Sequence, residues 1–136
     1  VDRGLVTKVI TQGIIIATLG IIAEAMLGFA AGVDIRLGYV IYFLSAFLIG
    51  FGYGTMFPAY NTLFINLAPN SRRATASATY LTGWDVGIGL GMWFGGRIAE
   101  NWGLATVYKI DIALALIAFV WFVSSAAPHF NRNKLQ

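Results

Sequence analysis

LGYVIYFLSAFLIGFGYGTMFPAYNTLFINL, residues 37–67, contains no charged residue in a run of about 31. A hydrocarbon core of ~30 Å is crossed by roughly 20 consecutive apolar residues of helix, so this run is longer than a bilayer requires. It should tilt, kink or project from the membrane. Pro58 removes a backbone donor inside it and makes a kink the expected response. Three further apolar stretches flank it, at residues 9–31, 74–98 and 107–127. The fold expected is an all-α membrane protein with four transmembrane helices.

Composition supports the same reading. Apolar residues make up 58% of the 136 positions and charged residues 11%, with a mean hydropathy of +0.74. So few charges cannot cover a soluble domain of this length. The chain has no cysteine, which excludes disulfides, thiolate metal sites and thiol catalysis. Its single histidine, His129, lies beyond the last apolar stretch, where a solvated tail residue is expected rather than a ligand or a base. The net charge of +3 reflects basic residues between and beyond the spans, so membrane topology accounts for it better than nucleic acid does. The first stretch is too long for a signal-peptide core and lacks a small-residue cleavage site. The chain opens at Val1 with the polar Asp2-Arg3-Gly4, as a segment cut from a longer protein would.

Four spans put both ends on one side. That side carries Arg3, Lys8, Arg72, Arg73, Arg132 and Lys134, in loops 1–8, 68–73 and 128–136. The other carries Arg36, Arg97 and Lys109, offset by Asp34, Glu100 and Asp111. Six basic residues against three place both ends of the segment in the cytoplasm, with the plasma membrane as the host bilayer. Ala31-Gly32-Val33-Asp34 and Trp102-Gly103 mark the external turns, and Ser71 is the expected N-cap of the third span. The last span is apolar all round and is expected to face lipid over most of its surface.

Small residues recur every four positions along the third span: Thr75, Thr79, Gly83, Gly87, Gly91, Gly95 and Ala99. In lipid such a stripe lets helix backbones approach closely. Ala46, Gly50 and Gly54 on the second span are its expected counterpart. The stripes either hold a bundle together or form surfaces that slide. Gly87-x-Gly89-x-Gly91 lacks the third glycine offset, the preceding strand and the βαβ context of a dinucleotide fingerprint.

Two carboxylates fall inside apolar stretches. Asp85 sits near the middle of the third span, where an ionised Asp costs roughly 2.5–3.5 kcal/mol on insertion scales. It lies about 160–200° around the helix from Gly83 and Gly87, hence on the other face. Proton coupling or cation recognition is one role; a structural bond to a neighbouring helix is the other. Glu24 in the first span is a second proton-coupling candidate, or a partner for Lys109 or Arg97. Asp111 is close enough to a helix end to be interfacial. Tyr53, Met56 and Tyr60 share one face of the second span, with Asn61 beside it. With Trp84 they are candidates for a substrate cavity, since aromatic walls with a few amides suit an amphipathic solute. Packing and interfacial anchoring are the plainer explanation. Trp93 is a weaker candidate of the same kind. No nucleophile–base pair, metal-spaced cluster or phosphate loop is present, so neither covalent chemistry, a cofactor nor a metal is expected.

At this point the chain resembles the C-terminal third of a major facilitator superfamily (MFS) transporter, helices nine to twelve. Asp2-Arg3-Gly4 is similar to the end of the basic motif between helices eight and nine. Gly50-Phe51-Gly52-Tyr53-Gly54 followed by Pro58 resembles helix ten. Pro69-Asn70-Ser71-Arg72-Arg73-Ala74-Thr75-Ala76 resembles the loop entering helix eleven, with Arg72-Arg73 where many members have Arg-Gly. Asp85 to Gly91 with Gly95-Gly96 resembles that helix in drug- and sugar-efflux-type members. The resemblance implies a twelve-helix bundle that moves a small organic solute by alternating access, often coupled to protons. Its partners would be the bilayer, the missing N-terminal helices and a small-molecule substrate, and no nucleic acid. Two other readings stay open: a complete four-helix multidrug exporter acting as a dimer with Glu24 as its coupling carboxylate, and a non-transporting membrane scaffold.

Overall fold

A computed structural model describes residues 4–135, and every regular element among them is helical. The chain forms α1 (Leu5–Ala25), α2 (Leu27–Val33), α3 (Ile35–Asn66), a 3₁₀ turn (Asn70–Arg72), α4 (Arg73–Trp102), α5 (Leu104–Trp121) and α6 (Ala127–Asn133). A π-helical turn, Phe122–Ala126, joins α5 to α6. Asp2, Arg3 and the start of the first expected loop lie outside the described residues.

Three of these helical runs are long and apolar enough to cross a membrane: Leu5–Ala25, Ile35–Asn66 and Leu104–Asn133. Their mean hydropathies are 1.9, 1.7 and 2.1. The third expected span coincides with α4, which has 30 residues but is diluted by its glycines, hydroxyls and Asp85. Helical structure also runs past the apolar stretches. α1 begins at Leu5, α4 at Arg73, and the terminal run continues to Asn133 through part of the expected loop 128–136.

Local chemistry sets the breaks. The first helical run is interrupted at Met26, before the expected turn. Asp34 then turns the chain, its carboxylate accepting the backbone N–H of Arg36 at 2.9 Å as N-cap of α3. α3 continues through Pro58 to Asn66 as one helix. Ser71 is not the N-cap of α4. It lies within the 3₁₀ turn, closed by the Arg72 N–H donating to the Pro69 carbonyl at 2.8 Å, and Arg72 stands at the N-cap of α4 with no side-chain cap bond. Gly103, with φ of +81°, takes the tight turn between α4 and α5, a conformation that excludes most side chains.

Packing is centred on α1 and α3. A Cβ on Gly52 would meet the Ala17 backbone nitrogen at 2.7 Å and the Gly13 carbonyl at 2.8 Å. A Cβ on Gly20 would meet the Ile49 nitrogen at 2.9 Å. The two backbones thus approach through Gly13, Ala17, Gly20 and Gly52, and Met56 lies over Gly13. The close contact expected between α4 and Gly50/Gly54 does not form within this chain. Gly50, Gly54, Gly83, Gly87 and Gly91 have open space where a Cβ would be, and at Gly95 the nearest atom is Val107 Cγ1 at 3.9 Å. The reason lies in helical phase: Gly52 stands about 200° of rotation from Gly50, so a face that buries Gly52 turns Gly50 and Gly54 away.

A core continues from this seam to the end of the bundle bearing the chain termini. It joins Ile10, Ile14 and Ala17 of α1, Met56 and Leu63 of α3, Phe122 of the π turn and Phe130 of α6. α6 is therefore a packed helix, with Phe130 2% exposed. The Leu135 N–H donates to the Asn66 carbonyl at 2.8 Å and ties the tail to the end of α3. α5 has no fully buried residue between Leu104 and Trp121.

Gly52→Val should therefore lower stability by about 1–3 kcal/mol, since the added atoms meet fixed backbone. Gly28→Ala, at a helical position with open space, should leave it unchanged or slightly raised. Thermal unfolding of the two variants in detergent checks this; equal midpoints would refute the seam.

Candidate functional site

The α3 sequence places Tyr53, Phe57, Tyr60 and Phe64 at offsets of four, seven and eleven, hence on one helical face. Tyr80 and Trp84, four apart, form the matching face of α4. The two faces meet as a continuous aromatic wall. Trp84 packs edge-on against Tyr53 and Phe57, with centroids 6.0 and 5.2 Å apart. Tyr80 is 5.6 Å from both Phe57 and Phe64 and stacks on Tyr60 at 6.4 Å. Phe122 closes the far side against Tyr60 at 5.7 Å.

Two hydrogen bonds fix the register of this contact. Tyr80 donates its hydroxyl to the Phe57 carbonyl at 3.0 Å, and Ser77 donates to Asn61 Oδ1 at 2.8 Å. Asn61 keeps its amide donors for other partners. Beyond the wall lies an open cleft of about 530 Å³ lined by Tyr53, Gly83, Trp84, Gly87 and Ile88. The glycines leave its floor as bare helix backbone. Pro58 cannot donate the bond that the Gly54 carbonyl would accept in a regular helix. The structure thus brings Tyr53, Tyr60, Asn61 and Trp84 together. Met56 is turned away, buried between α3 and α1. Tyr80, Phe57 and Phe64 were not singled out from sequence, although the Tyr80/Trp84 spacing carried the signal. Trp93 is exposed and packs edge-on against Phe94 at 4.7 Å, apart from the wall.

Asp85 follows Trp84 on α4 and is exposed. Among the described residues nothing bonds to it, and it points away from the cleft floor formed by Gly83 and Gly87. Glu24 is placed quite differently. Its Oε2 accepts from the Ser45 hydroxyl, and its Oε1 lies 3.5 Å from the Tyr108 hydroxyl. Ser45 is completely buried and also reaches the Tyr42 carbonyl at 2.8 Å. Glu24 therefore links α1, α3 and α5 through hydroxyls, and its partners are neither Lys109 nor Arg97.

One turn from Tyr108, Asp111 is half-buried rather than at a helix end. With Tyr53 and Tyr108 it lines a second cleft of about 470 Å³ between α1, α3 and α5. Tyr53 is common to both clefts. Asp111 and Tyr108 were missed as site residues because their sequence neighbourhood reads as a helix end. Their meeting with Glu24, 84 positions away from Tyr108, leaves no local trace. Among the described residues, no group of three or more His, Cys, Asp or Glu side chains could hold a metal ion.

Comparison with known proteins places this arrangement. Residues 3–135 match the Major Facilitator Superfamily. The probable sugar efflux transporter of Helicobacter acinonychis (strain Sheeba) is 35% identical over 80 residues, which are 59% of this chain and 20% of that protein. The chain thus matches about a fifth of that relative's length. No solved structure matches it. The match covers nearly every residue described above, from α1 to the tail on α3, and the chain belongs to the Major Facilitator Superfamily.

Proposed function

We propose that this chain is the ninth to twelfth helices of a twelve-helix secondary transporter. It moves a small organic solute by alternating access, coupled to protons and in the outward direction. α4 is then the third span of the segment, both ends of the segment are cytoplasmic, and the host bilayer is the plasma membrane. The protein performs no covalent chemistry. The observation that carries this reading is the polar–aromatic wall of α3 and α4, set beside a glycine-floored cleft in a chain whose remaining surface is largely apolar. Rings supply flat apolar area, and Asn61 and bare backbone supply the few polar contacts that orient a solute. A sugar presents such faces. The name of the Helicobacter relative supports a sugar as cargo.

The open glycine stripe of α4 gives the rest of the protein a surface to pack on. Among the described residues an added Cβ at Gly83, Gly87 or Gly91 would meet nothing, and the part of the stripe beyond the cleft, at Gly91, fits helices supplied by the N-terminal part. Membership of the family favours this reading over a self-sufficient four-helix exporter or a scaffold. Rocking of one half against the other would then move the wall between two exposures.

Transport by the full-length protein in proteoliposomes tests the proposal. Trp84→Ala should weaken substrate affinity by about 0.5–1.5 kcal/mol, roughly two- to tenfold, by removing one ring of the wall. Unchanged KM and maximal flux for every solute that the protein moves would remove Trp84 from the site. Asp85→Asn should abolish flux driven by a pH gradient while leaving solute binding in place. Glu24→Gln should slow the same flux less, because Ser45 and Tyr108 can still bond to the amide. Proton-driven flux retained in both variants at equal expression would mean that neither carboxylate couples transport.

A further inference from the structure

The terminus-bearing end of the bundle collects Lys8, Arg72, Arg73, Arg132 and Lys134. Among the described residues no carboxylate lies beside Lys8, Arg72, Arg73 or Arg132 in sequence. On α4, Asp85 is twelve residues from Arg73, about 18 Å along the helix. The same end holds a groove of about 390 Å³ between α3 and the α5–α6 junction. Tyr60, Phe64 and Leu67 form one wall, and Trp121, Phe122 and His129 face them. From Tyr60 to Leu67 it runs seven residues, about 10 Å, parallel to α3. Its lining is almost wholly apolar.

Arginines follow the groove-lining residues on both elements, and Arg132 Nε donates to the Pro128 carbonyl at 3.3 Å. Arg72 follows Leu67 after five residues and the 3₁₀ turn, and Arg132 stands three residues, one turn of α6, beyond His129. The bond from the Leu135 N–H to the Asn66 carbonyl holds these two sides together. Arg73 Nε is shut off from solvent without a hydrogen-bond partner among the described residues. An apolar groove along α3, at an end of the bundle where arginines follow its lining residues, is complementary to an acyl chain beneath an anionic headgroup. A zwitterionic lipid would fill the groove but gain little from the arginines.

We propose that this groove binds one anionic phospholipid, its acyl chain along α3 and its phosphate between Arg72, Arg73 and Arg132. Trp121 forms one side of the groove and reports on its occupant. The test uses the full-length protein in nanodiscs, with every tryptophan except Trp121 replaced by phenylalanine. The discs contain phosphatidylglycerol and phosphatidylcholine, with bromine on the acyl chains of one lipid and then of the other. Brominated phosphatidylglycerol should quench Trp121 several-fold more than brominated phosphatidylcholine at equal mole fraction. Raising the salt concentration should shrink that preference. Arg72→Gln, Arg73→Gln and Arg132→Gln should each lower it by roughly fivefold. Equal quenching by both lipids, or a preference that neither salt nor the substitutions alter, would overturn the proposal and leave ordinary boundary lipid. The label reversal and the salt series use unaltered arginines, so the test survives a variant that fails to fold. Neither reads solute flux, so the outcome is independent of the transport reading.

Discussion

In hydrocarbon a helix gains nothing by hiding apolar side chains, so α1 and α3 are held by the closeness of their backbones. Gly13, Ala17, Gly20 and Gly52 make that closeness possible. The remaining elements are arranged around this pair. Met56 and Leu63 extend it toward the terminus-bearing end, where Phe122 and Phe130 complete the core. α5 meets α1 and α3 along a partly open cleft lined by Tyr108, Asp111 and Leu114, and Phe119 packs against the core. α4 touches the pair chiefly through rings, which hold it at ring thickness rather than at backbone contact.

That difference separates two kinds of surface on α3. The face toward α1 is close-packed, with Gly52 against the Ala17 and Gly13 backbone. The face toward α4 is broad, aromatic and partly open, with Asn61 beside it. The polar junction of Glu24, Ser45 and Tyr108 belongs to the close-packed side, since it ties three helices near the end opposite the termini.

Much of this was legible in the sequence because membrane helices declare themselves by length and hydropathy. The four apolar stretches fall on α1 with α2, on α3, on α4 and on α5 with its continuation. The ring face of α3 was readable from the spacing of Tyr53 and Tyr60. What failed was the choice of partner. Glycine periodicity shows that a face is smooth but not what lies against it. On the most regular stripe, on α4, Gly83, Gly87 and Gly91 face open space among the described residues, while the irregular Gly13, Gly20 and Gly52 form the seam. Met56 illustrates a finer limit. It stands about 60° from Tyr53 by helical phase, a difference that in α3 decides between the wall and the core. Asp111 and Tyr108 were hidden for another reason: proximity to a helix end in sequence says little about depth once a neighbouring helix packs beside it.

The π turn at Phe122–Ala126 adds one residue to the helix that contains it, with the Ala127 N–H reaching back five positions to the Phe122 carbonyl. In an unbroken α-helix, Phe122 and Phe130 would differ by eight steps, or about 80° of phase. The added residue takes up one step, leaving about 20°, and both rings enter the same core. The turn therefore acts as a phase corrector between α5, which has no fully buried residue, and a tail that must be anchored. Any change that restored a regular α-helix there would swing Phe130 off its seat without altering a single side chain.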